Sequence, residues 1–405
     1  HYQGNDEPEL SFALLTDFVD APREEMPGDE ELLERARRGV RRLNRRHGGE
    51  DRRPFHLLHR PRRWNPSEGC WMGRERKRGK LEDFNRLVLE GDDEPFSVRI
   101  GDADAVASTR FVITLDADTR MPPGTAARLI GAMAHPLNLP VFGEGREVTA
   151  GYTVLQPRLE TVPLESEQTP FGRLYGGDTA LDLYSRVVSD VYMDLFGEGI
   201  YAGKGIYHVE GFERSLRGRV PENALLSHDL FEGSCGRAGL VSDLMLLEES
   251  PVHVVSHMRR FHRWVRGDWQ WLPWLLPRVP DADGGRVDSW FSALDRWKFA
   301  DNLRRSLVAP SLLLLLLLGW LAPHASPWIW TAAALGVAAL PTLLGAAVGT
   351  TRRLLRMAGR PEEGRGGGTA GWRSRLLHAA RRTRDVWLRW TLLFAFLPHQ
   401  AFVAV

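Results

Sequence analysis

Cysteine and net charge are what this sequence has least of. Cys70 and Cys235 are its two thiols, too few for a disulfide framework and without metal-ligand spacing, so a reducing setting follows. Net charge is +1, from 53 basic and 52 acidic residues, which argues against a dedicated nucleic-acid binder. No internal repeat runs through the chain, and the one low-complexity stretch, Gly364 to Gly371, reads as a loop. Length sets no limit on the core, because 405 residues can hold one large domain or two ordinary ones.

What the chain does have is a change of character along its length. Acidic and basic residues mix through roughly the first 300 positions, whereas roughly the last hundred alternate long apolar runs with basic clusters, the composition of a soluble domain joined to a membrane domain. Tryptophan is plentiful, at 14 residues. Several lie between Trp264 and Trp297 and beside the apolar runs, as expected near a membrane interface or a sugar. His1 in place of Met, no signal peptide at the start and an apolar stretch still running at Val405 suggest a segment of a longer protein.

The first informative run, Leu10 to Val19, reads as a buried strand ending in Thr16-Asp17-Phe18-Val19-Asp20. A helix is expected over Asp29 to Arg46, a strand over Phe55 to Leu58, then a basic loop carrying Trp64 and Trp71, and a helix over Leu81 to Glu90. Arg110 to Leu115 is apolar, β-prone and short enough for a central strand. Pro122-Pro123-Gly124 then opens a helix to Ala134. Strands at Tyr152 to Gln156 and His208 to Val209 continue an alternating α/β pattern.

The C-terminal part differs in kind. Val308 to Ala322 contains seven consecutive leucines, Leu312 to Leu318, and Trp328 to Thr350 is a second apolar run with Pro341 inside it. Each is near the length that crosses a bilayer, the first being somewhat short. Only Pro323 to Pro327 separate them, enough for a tight hairpin. Arg296, Lys298, Arg304 and Arg305 precede the pair, Arg352, Arg353 and Arg356 follow it, and the turn has no Lys or Arg. The positive-inside rule places both flanks in the cytoplasm. Trp372 to Arg389 fits an interfacial helix, and Trp390 to Val405 begins another membrane segment. The expected organisation is therefore a soluble domain over 1–290 with an upstream strand missing, an interfacial helix over 291–306 and a transmembrane hairpin over 307–350. A cytoplasmic loop and interfacial helix over 351–389 and the start of a further span over 390–405 complete it.

Three constellations can carry chemistry. Asp116-x-Asp118 directly follows a predicted buried strand, and strand ends are where open α/β sheets place ligands. Two carboxylates so spaced on a turn can hold Mg²⁺ or Mn²⁺ while the metal bridges a diphosphate, though they can equally cap a helix. Ser227-His228-Asp229 offers a carboxylate near a helix start, suited to a general base or simply to capping. Arg260-Phe261-His262-Arg263-Trp264, followed by Arg266, Asp268, Trp269 and Trp271, pairs guanidinium forks that match phosphate with aromatic faces on which sugars stack. An amphipathic helix at a membrane surface would look the same.

In this order, ahead of an apolar hairpin, these elements resemble the membrane-bound family 2-type glycosyltransferases, whose pattern is an early Asp, DxD, a TED-type Asp and QxxRW. Asp17 matches the early Asp, Asp116 and Asp118 the DxD, Asp229 the base, and Arg263 and Trp264 the RW. Ser227-His228 departs from Thr-Glu of TED, and Arg260 stands where Gln of QxxRW would be. The strings RPRRWN (Arg60 to Asn65), ERKRGKLEDFNRL, TLDADT, GKGIYHVEGF, LLSHDLFEG and HRWVRGDWQW are similar to the glycosyltransferase domain of cyclic β-1,2-glucan synthases, from about Ser11 to about Trp274 and again weakly at Leu397 to Gln400.

That resemblance implies a GT-A-like α/β domain with a mostly parallel sheet followed by transmembrane helices. It implies UDP-glucose as donor, a protein-attached β-1,2-glucan as acceptor, membrane lipid around the anchor and a glycoside-phosphorylase-like domain further along a longer chain. The cell location implied is a bacterial-type inner membrane, with the catalytic domain cytoplasmic. An α-linked donor giving a β-linkage requires inversion in a single in-line displacement. Asp229 would be the base. Asp17, Lys77, Arg78, Lys80, Asp116, Asp118 and Arg263 would bind the donor, Asp116 and Asp118 through the metal. Trp264, Asp194 and Lys204 are expected on the acceptor side. Lys77, Arg78 and Lys80 also read as a solvated basic loop, and Asp194 and Lys204 as ordinary surface or turn residues. Another membrane β-glycan synthase, such as a cellulose-like one, or a non-catalytic membrane-anchored sugar-binding protein remain the alternatives.

Overall fold

The computed structural model describes residues 1–49, 52–162, 169–175, 190–225, 228–249, 251–322, 326–340 and 370–404. It forms two compact units: His1–Val162 with Ala180–Glu249 and Arg266–Ala300, and Pro163–Thr179 with Ser250–Val265 and Asp301–Val405.

The strands of the first unit are β1 (Phe12–Asp17), β2 (Phe55–Arg60), β3 (Arg63–Asn65), β4 (Cys70–Met72), β5 (Val98–Ile100), β6 (Phe111–Thr114), β7 (Thr119–Arg120), β8 (Val141–Phe142), β9 (Val148–Ala150), β10 (Val154–Thr161), β11 (Gly205–His208), β12 (Ala238–Glu248), β13 (Arg278–Pro280) and β14 (Arg286–Asp288). Two sheets carry the architecture, one ordered β1-β2-β5 and one ordered β6-β11-β10-β12-β7. The α/β class holds, but the sheets are mixed and not mostly parallel. β1–β2 and β10–β12 run parallel, whereas β2–β5, β6–β11, β10–β11 and β7–β12 run antiparallel. The reason lies in the connections. β10 and β11 are consecutive and antiparallel among the described strands, so the link between them reverses the chain and is not a βαβ crossover.

Side-chain alternation sorts the larger sheet into two faces. Leu155, Ile206 and Leu244 pack against Leu129 and Met133 of the helix Thr125–Ala134. Val154, Tyr207 and Ala238 pack with Phe84 and Val88 of the helix Arg76–Glu90 and with Phe212 of the helix Val209–Leu216. The smaller sheet covers its own helix, Asp29–His47, through Leu33 and Val40 against Phe55, Leu57 and Val98.

Several local expectations shift. The basic loop around Trp64 and Trp71 is the hairpin β3–β4, with the two indoles 6.0 Å apart. The strand expected at His208 to Val209 ends at His208, whose Nδ1 accepts the Gly211 N–H at 3.0 Å and so starts a helix at Val209. The helix expected from Leu81 begins at Arg76, and Glu75 and Arg76 turn into it at φ 51° and 50°. Lys77, Arg78 and Lys80 therefore sit on its first turns and not in a loop.

In the C-terminal part, the segment expected as an interfacial helix and the seven-leucine run form one helix, Ala293–Leu321, with Pro310 inside it. Among the described residues it is the one helix long and apolar enough to cross a membrane. Pro327–Leu340 is a shorter apolar helix. Residues 341–369 of the expected hairpin and loop lie outside the described residues, as do 323–325 of its turn. The expected interfacial helix and last span likewise form one helix, Ala370–Ala404, carrying Pro398. In the second unit Ala309, Leu312, Ala334, Leu397 and Ala401 pack together.

Candidate active site

Register brings the charged residues together. β6 ends at Thr114, opposite Gly205 of β11, so Lys204 lies beside the turn that carries Asp116. β12 pairs Glu248 with Thr119, just past the same turn. Lys204 Nζ accordingly reaches Glu248 Oε1 at 2.6 Å and Asp116 Oδ2 at 3.3 Å. From the first turn of the helix Arg76–Glu90, Lys77 Nζ donates to Asp116 Oδ1 at 2.6 Å and to the Gly203 carbonyl at 2.7 Å. Burial opposes the Lys77 charge, yet the Asp229 and Asp116 carboxylates outweigh it and hold the ammonium above the ordinary lysine range. Burial likewise pushes Asp116 up, but Lys77 and Lys204 win and hold it below the usual carboxylate range.

Gly203 joins this cluster to Asp229. Its φ of +79° is a left-handed conformation that suits glycine, and a Cβ there would lie 2.5 Å from Asp229 Oδ1 and 2.6 Å from Oδ2. Any side chain at 203 would have to push the carboxylate aside. Asp229 opens the helix Asp229–Cys235, and no side chain caps that helix at His228. Ser227 lies outside the described residues. Asp118 is half-buried, and its carbonyl accepts the Glu249 N–H at 3.2 Å.

Asp17 belongs to a second group. Arg60 grips it bidentately at 2.8 and 3.0 Å, and Lys80 Nζ stands 3.1 Å from Oδ2. Arg60 also donates to Asp83 at 2.5 Å, which accepts from Arg74 at 2.7 Å. Gly73 faces this carboxylate much as Gly203 faces Asp229, since a Cβ there would come 2.6 Å from Asp17 Oδ2. Arg78 joins neither group. It is buried and paired with Glu75 and Glu82, so its charge is already matched. Asp194 is exposed in the first turn of the helix Val191–Phe196. Arg263 and Trp264 lie on the helix Val254–Gln270 in residues of the second unit; Arg263 is exposed, and Arg260 stacks over the Trp264 ring at 4.6 Å.

No protein-family profile matches the chain. It is 42% identical over 333 residues, 82% of its length, to the cyclic β-(1,2)-glucan synthase NdvB of Rhizobium meliloti (strain 1021). By sequence it groups with the cyclic β-glucan synthases. The chain spans 11% of that relative's length. The family read from the motif strings is thus borne out.

Glu248, Gly203, Arg60, Asp83 and Glu232 are site residues that the motifs did not single out. For Glu232 a signal existed: it stands four residues after His228, so one helical turn brings the two together. His228 Nδ1 lies 2.8 Å from Glu232 Oε1 and 3.5 Å from Asp229 Oδ1. All three offer a possible metal-ligand atom within 4.8 Å of the others. The 2.8 Å separation is that of a close imidazole–carboxylate ion pair.

Proposed function

We propose that this chain is the glucosyltransferase segment of a cyclic β-1,2-glucan synthase. On this proposal it transfers glucose from UDP-glucose, with inversion and processively, to a growing β-1,2-glucan at the cytoplasmic face of the inner membrane. The observation that carries the proposal is the convergence of Asp116, Lys77, Lys204 and Asp229 around Gly203 at the end of β6. A mixed sheet covered by helices on both faces supports a GT-A-like assignment.

Inversion asks for a base on one side of the anomeric carbon and charge stabilisation on the other. Asp229 accepts the proton of the acceptor hydroxyl as the new glycosidic bond forms. The bond from C1 to phosphate breaks, its electrons leaving with UDP. Lys77 supplies fixed positive charge where that diphosphate develops, and Lys204, expected on the acceptor side, is reassigned to the same task because it reaches Asp116 at 3.3 Å. Asp116 and Asp118 provide hard oxygen donors that fit Mg²⁺ or Mn²⁺. One Asp116 oxygen has Lys204 at 3.3 Å as its neighbour, the longer of the two lysine contacts. A metal held there would add Lewis-acid neutralisation of the diphosphate. Asp17 and Lys80 are assigned to the nucleotide side, Arg263 to the diphosphate, Trp264 and Asp194 to the acceptor. The glycoside-phosphorylase-like domain is assigned to another part of the longer chain.

Two experiments test this. Labelled UDP-glucose supplied to membranes holding the full-length parent should give β-1,2-linked glucan. A reporter fused after Arg356 should face the cytoplasm, and a tag inserted between Pro323 and Pro327 should be reached from the opposite side, because basic residues flank an uncharged turn. Both on one side would contradict a membrane-crossing hairpin.

A further inference from the structure

We infer that Glu232 and His228 form a positioning pair for Asp229, holding its Oδ1 so that Oδ2 is the oxygen offered to the acceptor hydroxyl; this rests on the assignment of Asp229 as base. The pair is built from one turn of the helix Asp229–Cys235 and the residue before it. Both side chains are almost fully enclosed, 6% exposed for His228 and 3% for Glu232, whereas Asp229 is 35% exposed. A single imidazole nitrogen thus faces two carboxylates, one sealed in the core and one opening to the site.

The buried atoms point the same way. Among the described residues, His228 Nδ1, Asp229 Oδ1 and Glu232 Oε2 are all enclosed without a hydrogen-bond partner, a costly arrangement unless neighbouring charges compensate one another. His228 Nδ1 is the cation at hand. Burial alone would push this imidazole down, but Glu232 and then Asp229 outweigh it and raise it above the ordinary histidine range. Burial pushes Glu232 up, partly offset by His228. Nδ1 therefore stands between two carboxylate oxygens, 2.8 Å from Glu232 Oε1 and 3.5 Å from Asp229 Oδ1, and holds them by charge. The other groups facing the pair are Lys77 and Arg78 from the helix Arg76–Glu90, and Tyr201 and Tyr207 from beside and within β11. Arg78 is already paired with Glu75 and Glu82, which leaves Glu232 as the counter-charge of His228.

In the transfer step the pair holds its proton and gives none up. The acceptor O–H proton goes to Asp229 Oδ2, the glycosidic bond forms, and UDP leaves with the electrons of the broken C1–O bond. Loss of the pair frees Asp229 to rotate and weakens proton acceptance without touching the donor.

The test uses the full-length parent in membranes, with Glu232→Gln, His228→Gln and the double variant. Glu232→Gln keeps the shape and removes the charge. We expect UDP-glucose affinity to stay near that of the parent and kcat to fall roughly tenfold or more. The double variant should be no worse than the worse single one, as for residues acting as a unit. The basic limb of kcat against pH should move to lower pH, because removing Glu232 lowers the pH at which His228 gives up its proton. Unchanged kcat and pH profile in Glu232→Gln would overturn the inference. So would parallel loss of donor binding and kcat, which would make the pair a support of the fold alone. If the unsubstituted parent transfers no glucose from UDP-glucose, the assignment of Asp229 falls, and the pair with it.

Discussion

Asp229→Asn will leave UDP-glucose bound while glucan elongation slows by roughly 10²–10⁴-fold, the range associated with loss of a general base. The competing role for this residue was a helix cap, and Asn caps about as well as Asp, so a cap would tolerate the change. The structure separates the two roles. Asp229 is the first residue of its helix and not the residue before it, and no side chain caps that helix. Its carboxylate instead faces the Gly203 backbone and the Lys77 ammonium. Asn is isosteric with Asp, so neither the Gly203 contact nor the helix has cause to fail. The check is transfer rate measured beside donor affinity in membranes. A variant that binds donor and elongates normally would leave the displacement without a base.

Asp116→Asn should abolish transfer for a different reason. Asp116 is the carboxylate on which Lys77 and Lys204 converge. Removing its charge leaves Lys77 with neutral acceptors alone, the amide oxygen and the Gly203 carbonyl, and deprives the proposed metal of a ligand. The loss should be at least about 10²-fold, with thermal unfolding little changed because the residue lies on a turn and is 37% exposed. Asp118→Asn should behave alike if the two share a metal. Chelation of divalent ions should stop the unsubstituted enzyme, and added Mn²⁺ or Mg²⁺ should restore it. Full activity under chelation would remove the metal from the account and leave Lys77 and Lys204 to neutralise the diphosphate.

How far the fold could be read in advance depended on whether the deciding contact was local. β6 was legible as a strand because a short apolar run ends abruptly in Asp116, although it lies at the edge of its sheet and not at the centre, and the helix Asp29–His47 because its composition is helical throughout. β2 extends to Arg60, beyond the expected Leu58, because Asp17 and Asp83 neutralise a charge that otherwise marks a strand end. Those partners come from β1 and from the helix Arg76–Glu90, and no window around Arg60 contains them. The start of that helix was hidden for a similar reason. A run of basic residues behind an uncapped Glu75 resembles a solvated loop until Glu75 and Glu82 are seen to bury Arg78. Strand direction in the larger sheet was not readable from the strand and helix pattern, which does not say whether a connection crosses over or turns back. For the site, Asp116 and Asp229 were visible as motif residues, and Lys204 only as a candidate in a glycine-rich run. Glu248 needed the β7–β12 register to appear at all.

The most direct test is linkage analysis of the product formed from labelled UDP-glucose by membranes carrying the full-length parent, with Asp229→Asn membranes beside it. Label in β-1,2-linked glucan from the parent, and none above background from the variant, is the result predicted here. Label in β-1,4-linked or other glucan, or equal incorporation by both preparations, would contradict it.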